Sequence, residues 1–159
     1  MQTISFDEID AVKNVFAVYR IRGAELDPRA VTAEAGIHPS AAYQKGEQCL
    51  GKKFDPVTRK TVEEIRSRPF SVWDVSSEPQ QHLKRVQEHC AYLLNILEPK
   101  AEQLRRYLEQ DEKFTISFCL RWEPYGEHGS YQLPGDVLAR MGRLCHFVEF
   151  SFIAILQAE

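Results

Sequence analysis

The apolar positions of this chain repeat with two different periods. Residues 14–21 (NVFAVYRI) place Val15, Ala17, Tyr19 and Ile21 on one side and Phe16 and Val18 on the other. A strand with apolar groups on both faces belongs inside a sheet. Residues 70–76 form a second predicted strand, with Ser71, Trp73 and Val75 facing away from Phe70, Val72 and Asp74. Residues 113–122 alternate strictly: Phe114, Ile116, Phe118, Leu120 and Trp122 against Lys113, Thr115, Ser117, Cys119 and Arg121. That alternation requires one face on a core and the other on water or a partner. A closing strand begins at Phe147, with Val148, Phe150, Phe152, Ala154 and Leu156 on its richer face, and YQL (131–133) is read as a short pairing strand.

Between these runs the period changes to that of a helix. In LDPRAVTAEAG, Asp27 is placed to cap, Pro28 suits the first helical position and Gly36 the residue just past the end. Pro39 prevents the helix from resuming. EPQQHLKRVQEHCAYLLNILE is the clearest helix, with Leu83, Val86, Cys90, Leu93 and Leu97 at steps of three and four and Leu94 widening the stripe. Pro99 breaks it and opens a second piece with Ala101, Leu104 and Leu108. PGDVLARMGRLCH is the last helix, with Val137, Leu138, Met141, Leu144 and Cys145 inward.

Residues 47–69 fit neither period well. They are read as a long surface excursion, in which TRKTVEEIRS forms a solvated helix with Val57, Val62 and Ile65 as its sparse apolar side. The pattern predicts one α+β domain over residues 1–159: four or five mostly antiparallel strands with helices packed on one face. Strand order does not follow from the sequence.

Composition narrows the class. A chain of 159 residues with 43% hydrophobic and 27% charged residues suits one soluble domain. A net charge of −3 provides no global basic field, which disfavours nucleic acid as a partner. No apolar run reaches the roughly 18 residues of a membrane span, and the acidic start MQTISFDEIDAVKN does not read as a signal peptide. No two of Cys49, Cys90, Cys119 and Cys145 lie within four residues of each other, so zinc-finger spacing is absent. They are expected to be free thiols in a reducing cytoplasm, mostly buried.

Catalytic and metal signatures are missing. His82 and His89 are separated by about 10.5 Å of helical rise, too far to ligate one ion. Glu123, Glu127 and His128 are the nearest ligand-like cluster and carry no recognised spacing. There is no GxSxG, GxGxxG or P-loop, and Cys90 beside His89 points about 100° away from it on a helix. No cofactor, metal or catalytic residue is expected. Residues 45–68 carry seven basic against four acidic side chains without interleaved aromatics, which reads first as a solvated face.

The run YRIRGAELDPRAVTAEAGIHPSAAYQKGE resembles the start of a bacterial family known as domain of unknown function 4279. The resemblance rests on Gly23, Leu26, Asp27, Pro28, Gly36, Ile37, Pro39, Tyr43, Lys45 and Gly46, within residues 14–46. Val72, Trp73 and Ser76, the helix ending in Leu97-Glu98-Pro99, and the final helix and strand match more loosely. The excursion is longer here than the family pattern, and Glu149 and Ser151 stand where the family tends to show Asp. The resemblance implies a compact α+β domain of small bacterial proteins; some families of this kind look like immunity or accessory proteins of toxin systems. It supplies no catalytic residues.

Three functional expectations follow. The first is a non-enzymatic interaction protein that meets a protein partner, or a second copy as a dimer, through Thr115, Ser117, Cys119 and Arg121. The second is a small-ligand site or enzyme pocket formed by His38, Tyr43, Lys45 and Trp73. The third is anion or nucleic-acid contact through residues 45–68.

Overall fold

The computed structural model describes residues 12–124 and 131–152. Strand β1 spans Val12–Gly23 and is followed by helix α1, Pro28–Ala35. Asp27 caps α1 by accepting from the Arg29 amide at 3.0 Å, and Gly36 ends it at φ 65°, a left-handed conformation that glycine adopts without steric cost. The stretch after Gly36 becomes a three-residue strand, β2 (Ala41–Tyr43). Strands β3 (Gln48–Asp55) and β4 (Lys60–Ser67) follow, then β5 (Ser71–Ser76). Helices α2 (Val86–Leu97) and α3 (Ala101–Leu108) are joined by a single 3₁₀ turn at Glu98–Lys100. Strand β6 (Thr115–Pro124), helix α4 (Gly135–Gly142) and strand β7 (Phe147–Phe152) complete the order.

The main sheet has five strands in the order β2-β5-β1-β6-β7. All neighbours are antiparallel except β6 and β7. Parallel neighbours need a crossover, and the connection through α4 provides it. The doubly apolar β1 is central, as its sequence requires. Its Ala17, Tyr19 and Ile21 join Ile116, Phe118 and Leu120 of β6 beneath Cys90, Leu93, Leu94 and Leu97 of α2. The Tyr19 ring meets Phe118 edge-on at 5.1 Å, and its hydroxyl donates to the Leu144 carbonyl at 3.0 Å. The architecture is an α+β domain with its helices gathered over one face of a mostly antiparallel sheet.

The excursion differs most from expectation. Residues 47–69 hold no helix; β3 and β4 pair antiparallel as a separate two-stranded ribbon. The turn carries the reason. The Asp55 carboxylate accepts from the Val57 amide at 2.9 Å and the Thr58 hydroxyl at 2.7 Å, and Arg59 takes φ 53°. An Asp-Pro pair that folds its side chain back on the following amide makes a tight turn, and the flanking strands then pair. The ribbon continues the β2–β5 pair: Gly46, at φ 87°, donates to the Arg68 carbonyl at 2.9 Å, and Arg68 donates to Glu47 at 2.9 Å.

Smaller differences have local causes. Helix α2 begins at Val86, so Leu83 lies ahead of it, because the Glu88 carboxylate accepts from the amides of Lys84 and Arg85 and closes the helix there. Leu138 is 38% exposed rather than inward, while Val137 and Met141 are buried. YQL adds no strand, and Phe150 and Phe152 are 47% and 60% exposed. Ala154 and Leu156 lie outside the described residues.

Ser77 and His89 tie β1 to α2. The Ser77 hydroxyl accepts from the Ala17 amide at 2.8 Å and lies 2.9 Å from His89 Nδ1. His89 Nε2 lies 3.2 Å from the Leu83 carbonyl, which can only accept. Nε2 therefore carries the proton, and the single Ser77 hydroxyl proton goes either to Nδ1 or to the Ala17 carbonyl at 3.1 Å. Burial holds the His89 pKa below its ordinary value. The unfolded chain then takes up the proton first, so stability falls as pH drops below about 6.5 and levels off once the folded ring is also protonated. Melting curves between about pH 8 and pH 5 should show this loss, and His89→Gln should show less of it. Identical pH profiles for the two proteins would overturn the assignment.

Candidate functional site

Helices cover one face of the sheet; among the described residues none lies over the other, the open face. The register assigns its residues. Val18 lies opposite Ser76 and Cys119, Arg20 opposite Asp74 and Ser117, and Cys119 opposite Glu149. Thr115, Ser117, Cys119 and Arg121 therefore share this face along β6, as strict alternation predicts. They adjoin Phe16, Val18 and Arg20 of β1, Val72 and Asp74 of β5, and Phe147 and Glu149 of β7.

An ion pair organises the centre of the face. Arg20 Nε donates to Asp74 Oδ1 at 2.9 Å and Nη2 to Oδ2 at 2.7 Å, the bidentate geometry of a fork on a carboxylate. The Asp74 side chain is only 8% exposed and that of Arg20 43%. The hydrogen bonds to Asp74 raise the Arg20 pKa further. At the rim, Lys13 reaches the buried Glu123 at 2.9 Å. The Arg121 guanidinium lies 5.7 Å from the Phe16 ring centroid, and its Nε is buried without a hydrogen-bond partner.

Three of the cysteines are held as thiols by burial. All four are free; Cys90 and Cys145 are buried, and Cys49 and Cys119 half-buried. Burial pushes the Cys90 thiol up to about 12 and raises Cys119 and Cys145 as well, away from thiolate. His146 is also committed: Nδ1 accepts from the Ile116 amide at 3.1 Å and Nε2 lies 2.8 Å from the Leu108 carbonyl.

His38, Tyr43, Lys45 and Trp73 do not converge. Trp73 is fully buried on the helix side, its Nε1 donating to Thr32 Oγ1 at 3.0 Å. Tyr43 pairs with Val72 and so points to the opposite face, where the Arg68 guanidinium sits 3.5 Å from its ring centroid. His38 and Lys45 are exposed, and Lys45 contributes its amide to Ser71 Oγ at 3.0 Å. A cleft of about 390 Å³ lies elsewhere, between α3 and α4, floored by Leu104 and Leu108 and flanked by Arg105 and Arg140. Glu98 holds Arg140 there by two bonds of 2.8 and 2.7 Å.

The basic side chains of residues 45–68 are interleaved with acids. Lys52 faces Glu63 across the ribbon, Asp55 faces Lys60, and Arg66 pairs with Glu64. Among the described residues no three His, Cys, Asp or Glu side chains are placed to hold a metal ion; Glu127 and His128 lie outside them. No described helix is long and apolar enough to cross a membrane.

The chain matches the sequence model of the family described as domain of unknown function (DUF4279) over residues 13–153. It belongs to that family. No curated protein and no solved structure matches it. The DUF4279 match runs through β1 to β7, so it covers the open face and the ribbon together. Sequence reasoning found the β6 residues of this face by their alternation. It missed Arg20 and Asp74, which lie 54 positions apart and meet only through strand pairing. It missed the ribbon too, whose one local signal was Asp55-Pro56.

Proposed function

We propose that this chain is a non-enzymatic binding protein that receives a protein partner on the open face of its sheet. One observation carries the reading: a five-stranded face with no described helix over it mixes half-buried apolar groups (Phe16, Val18, Val72) with a bidentate ion pair. Sheets covered on one side alone usually show water a plainly polar face. Phe147, 60% exposed on this face, is a group that a docked chain would cover. The raised thiols and the committed rings of His89 and His146 support binding over catalysis. An immunity or accessory role in a bacterial cytoplasm fits such a surface.

The test is Thr115→Glu with Ser117→Glu, which places two charges in the middle of the face. Cross-linked assemblies formed in the source cells by the wild-type chain should be lost in the variant, which should still melt cooperatively although Ser117 is only 9% exposed. Assemblies that survive at wild-type level would remove this face from the proposal.

A further inference from the structure

The cleft of about 390 Å³ between α3 and α4 follows from how the two helices are held. Pro99 and its 3₁₀ turn separate α3 from α2. Helix α3 then packs against α1 and β6, while α4 packs against α2 and β7. Two helices held by different neighbours leave space where their sides face. Ala101, Leu104, Arg105 and Leu108 stand at steps of three and four along one side of α3, and all four line the cleft. Arg140, Arg143 and Leu144 repeat that spacing at the end of α4. The floor is therefore leucine and alanine, and no aromatic ring lines it.

The rim is charged and uneven. Three guanidiniums line the cleft with one carboxylate, Glu98. Glu98 accepts from Nε and Nη2 of Arg140 at 2.8 and 2.7 Å, which fixes that guanidinium and leaves Nη1 uncommitted among the described residues. Arg105 pairs with Glu102 at 2.8 Å, but both side chains are more than half exposed, and such a pair holds with little energy. Arg143 is exposed and makes no hydrogen bond or ion pair among the described residues. Glu102 and Asp136, the other acids near these cations, do not line the cleft.

We infer that the α3–α4 cleft binds a small amphipathic anion: an acyl chain laid on the leucine floor, with its carboxylate or phosphate head held by Arg105, Arg143 and the free edge of Arg140. Volume sets the size. At roughly 30 Å³ per heavy atom, the share of one water in its liquid, 390 Å³ takes about a dozen atoms, as in decanoate or octyl phosphate. The volume also lies within the range of small-molecule sites. The floor sets the body, because aliphatic side chains without a ring cover a chain by apolar contact alone. The rim sets the head: three positive side chains against one negative leave an excess of two, and guanidinium forks match carboxylate and phosphate oxygens. The cleft lies in the helix layer, across the sheet from the open face, so it is a second binding site, independent of the first.

The experiment is calorimetric titration of the full chain with decanoate and with octyl phosphate. At least one should bind, more weakly as salt rises, and the tighter of the two identifies the head group. Decanol, which has the chain without the charge, and acetate, which has the charge without the chain, should each bind at least about tenfold more weakly than decanoate. Arg143→Glu should weaken the anion at least about tenfold in a protein that still folds, since Arg143 is exposed. Ala101→Leu is the second variant; it fills part of the floor and should weaken decanoate more than hexanoate. Leu50→Lys with Ile65→Lys, on the exposed ribbon, should change nothing. No binding of either anion below about 1 mM overturns the inference, as do affinities that both cleft variants leave unchanged. Decanol binding as tightly as decanoate also overturns it. So does a loss of binding in the ribbon variant, which would place the chain on exposed apolar surface instead.

Discussion

Trp73→Ala should lower the unfolding free energy by about 3–5 kcal/mol, the largest effect expected of a single substitution in this chain. The side chain is fully buried in β5 and bonds through Nε1 to Thr32 of α1, whose hydroxyl also donates to the Pro28 carbonyl at 2.9 Å. Truncation opens a cavity, orphans the Thr32 acceptor and detaches α1 from the sheet it covers. In thermal melts of a domain this size the loss corresponds to a drop of roughly 6–20 °C. Trp73→Phe should cost less, since a ring remains and one hydrogen bond is lost. Denaturant titrations of the three proteins are the check. If Trp73→Ala costs less than about 1 kcal/mol, below the range for any buried aromatic, then Trp73 does not sit in the core and its role as a ligand contact would have to be reopened.

Asp74→Ala is the second. It removes the acceptor of a bidentate pair while Arg20 stays charged. A fully buried pair broken on one side costs about 3–5 kcal/mol. Here the expected loss is roughly 1–3 kcal/mol, because the Arg20 side chain is 43% exposed and can recover water. Replacing both partners, Arg20→Met with Asp74→Leu, should restore most of the stability, since no charge is then left unpaired. A double-mutant cycle is the measurement. Additive losses would show that the two side chains do not act as a pair. The same variants probe function, because the pair sits at the centre of the proposed binding face: Asp74→Ala should also reduce the yield of cross-linked assemblies.

The segments whose side chains serve one period were legible. Strict alternation in β6 placed Ile116, Phe118, Leu120 and Trp122 on the core and Thr115, Ser117, Cys119 and Arg121 on the far face. Asp27, Pro28 and Gly36 punctuated α1 where the structure starts and ends it. Residues 47–69 failed for a physical reason. TRKTVEEIRS scatters two apolar residues, Val62 and Ile65, among charges, which satisfies a weak helical stripe about as well as an exposed strand, and burial was not there to arbitrate. The deciding contact was the Asp55 turn that brings β4 back along β3. His38, Tyr43, Lys45 and Trp73 were grouped by nearness in sequence or by chemistry, but adjacent strand positions alternate faces. Pairing Ala42 with Trp73 and Tyr43 with Val72 put the two aromatics on opposite sides of the sheet.

By itself the sequence determined the α+β class, the central place of β1, the caps of α1 and the two-faced character of β6, because each depends on local periodicity and backbone stereochemistry. Tertiary structure alone decided the strand order, the pairing of Arg20 with Asp74, the burial of Trp73 and the projection of an apolar ribbon. Those depend on which distant strands share hydrogen bonds, and period-two pairing turns a one-residue choice of register into a choice of face.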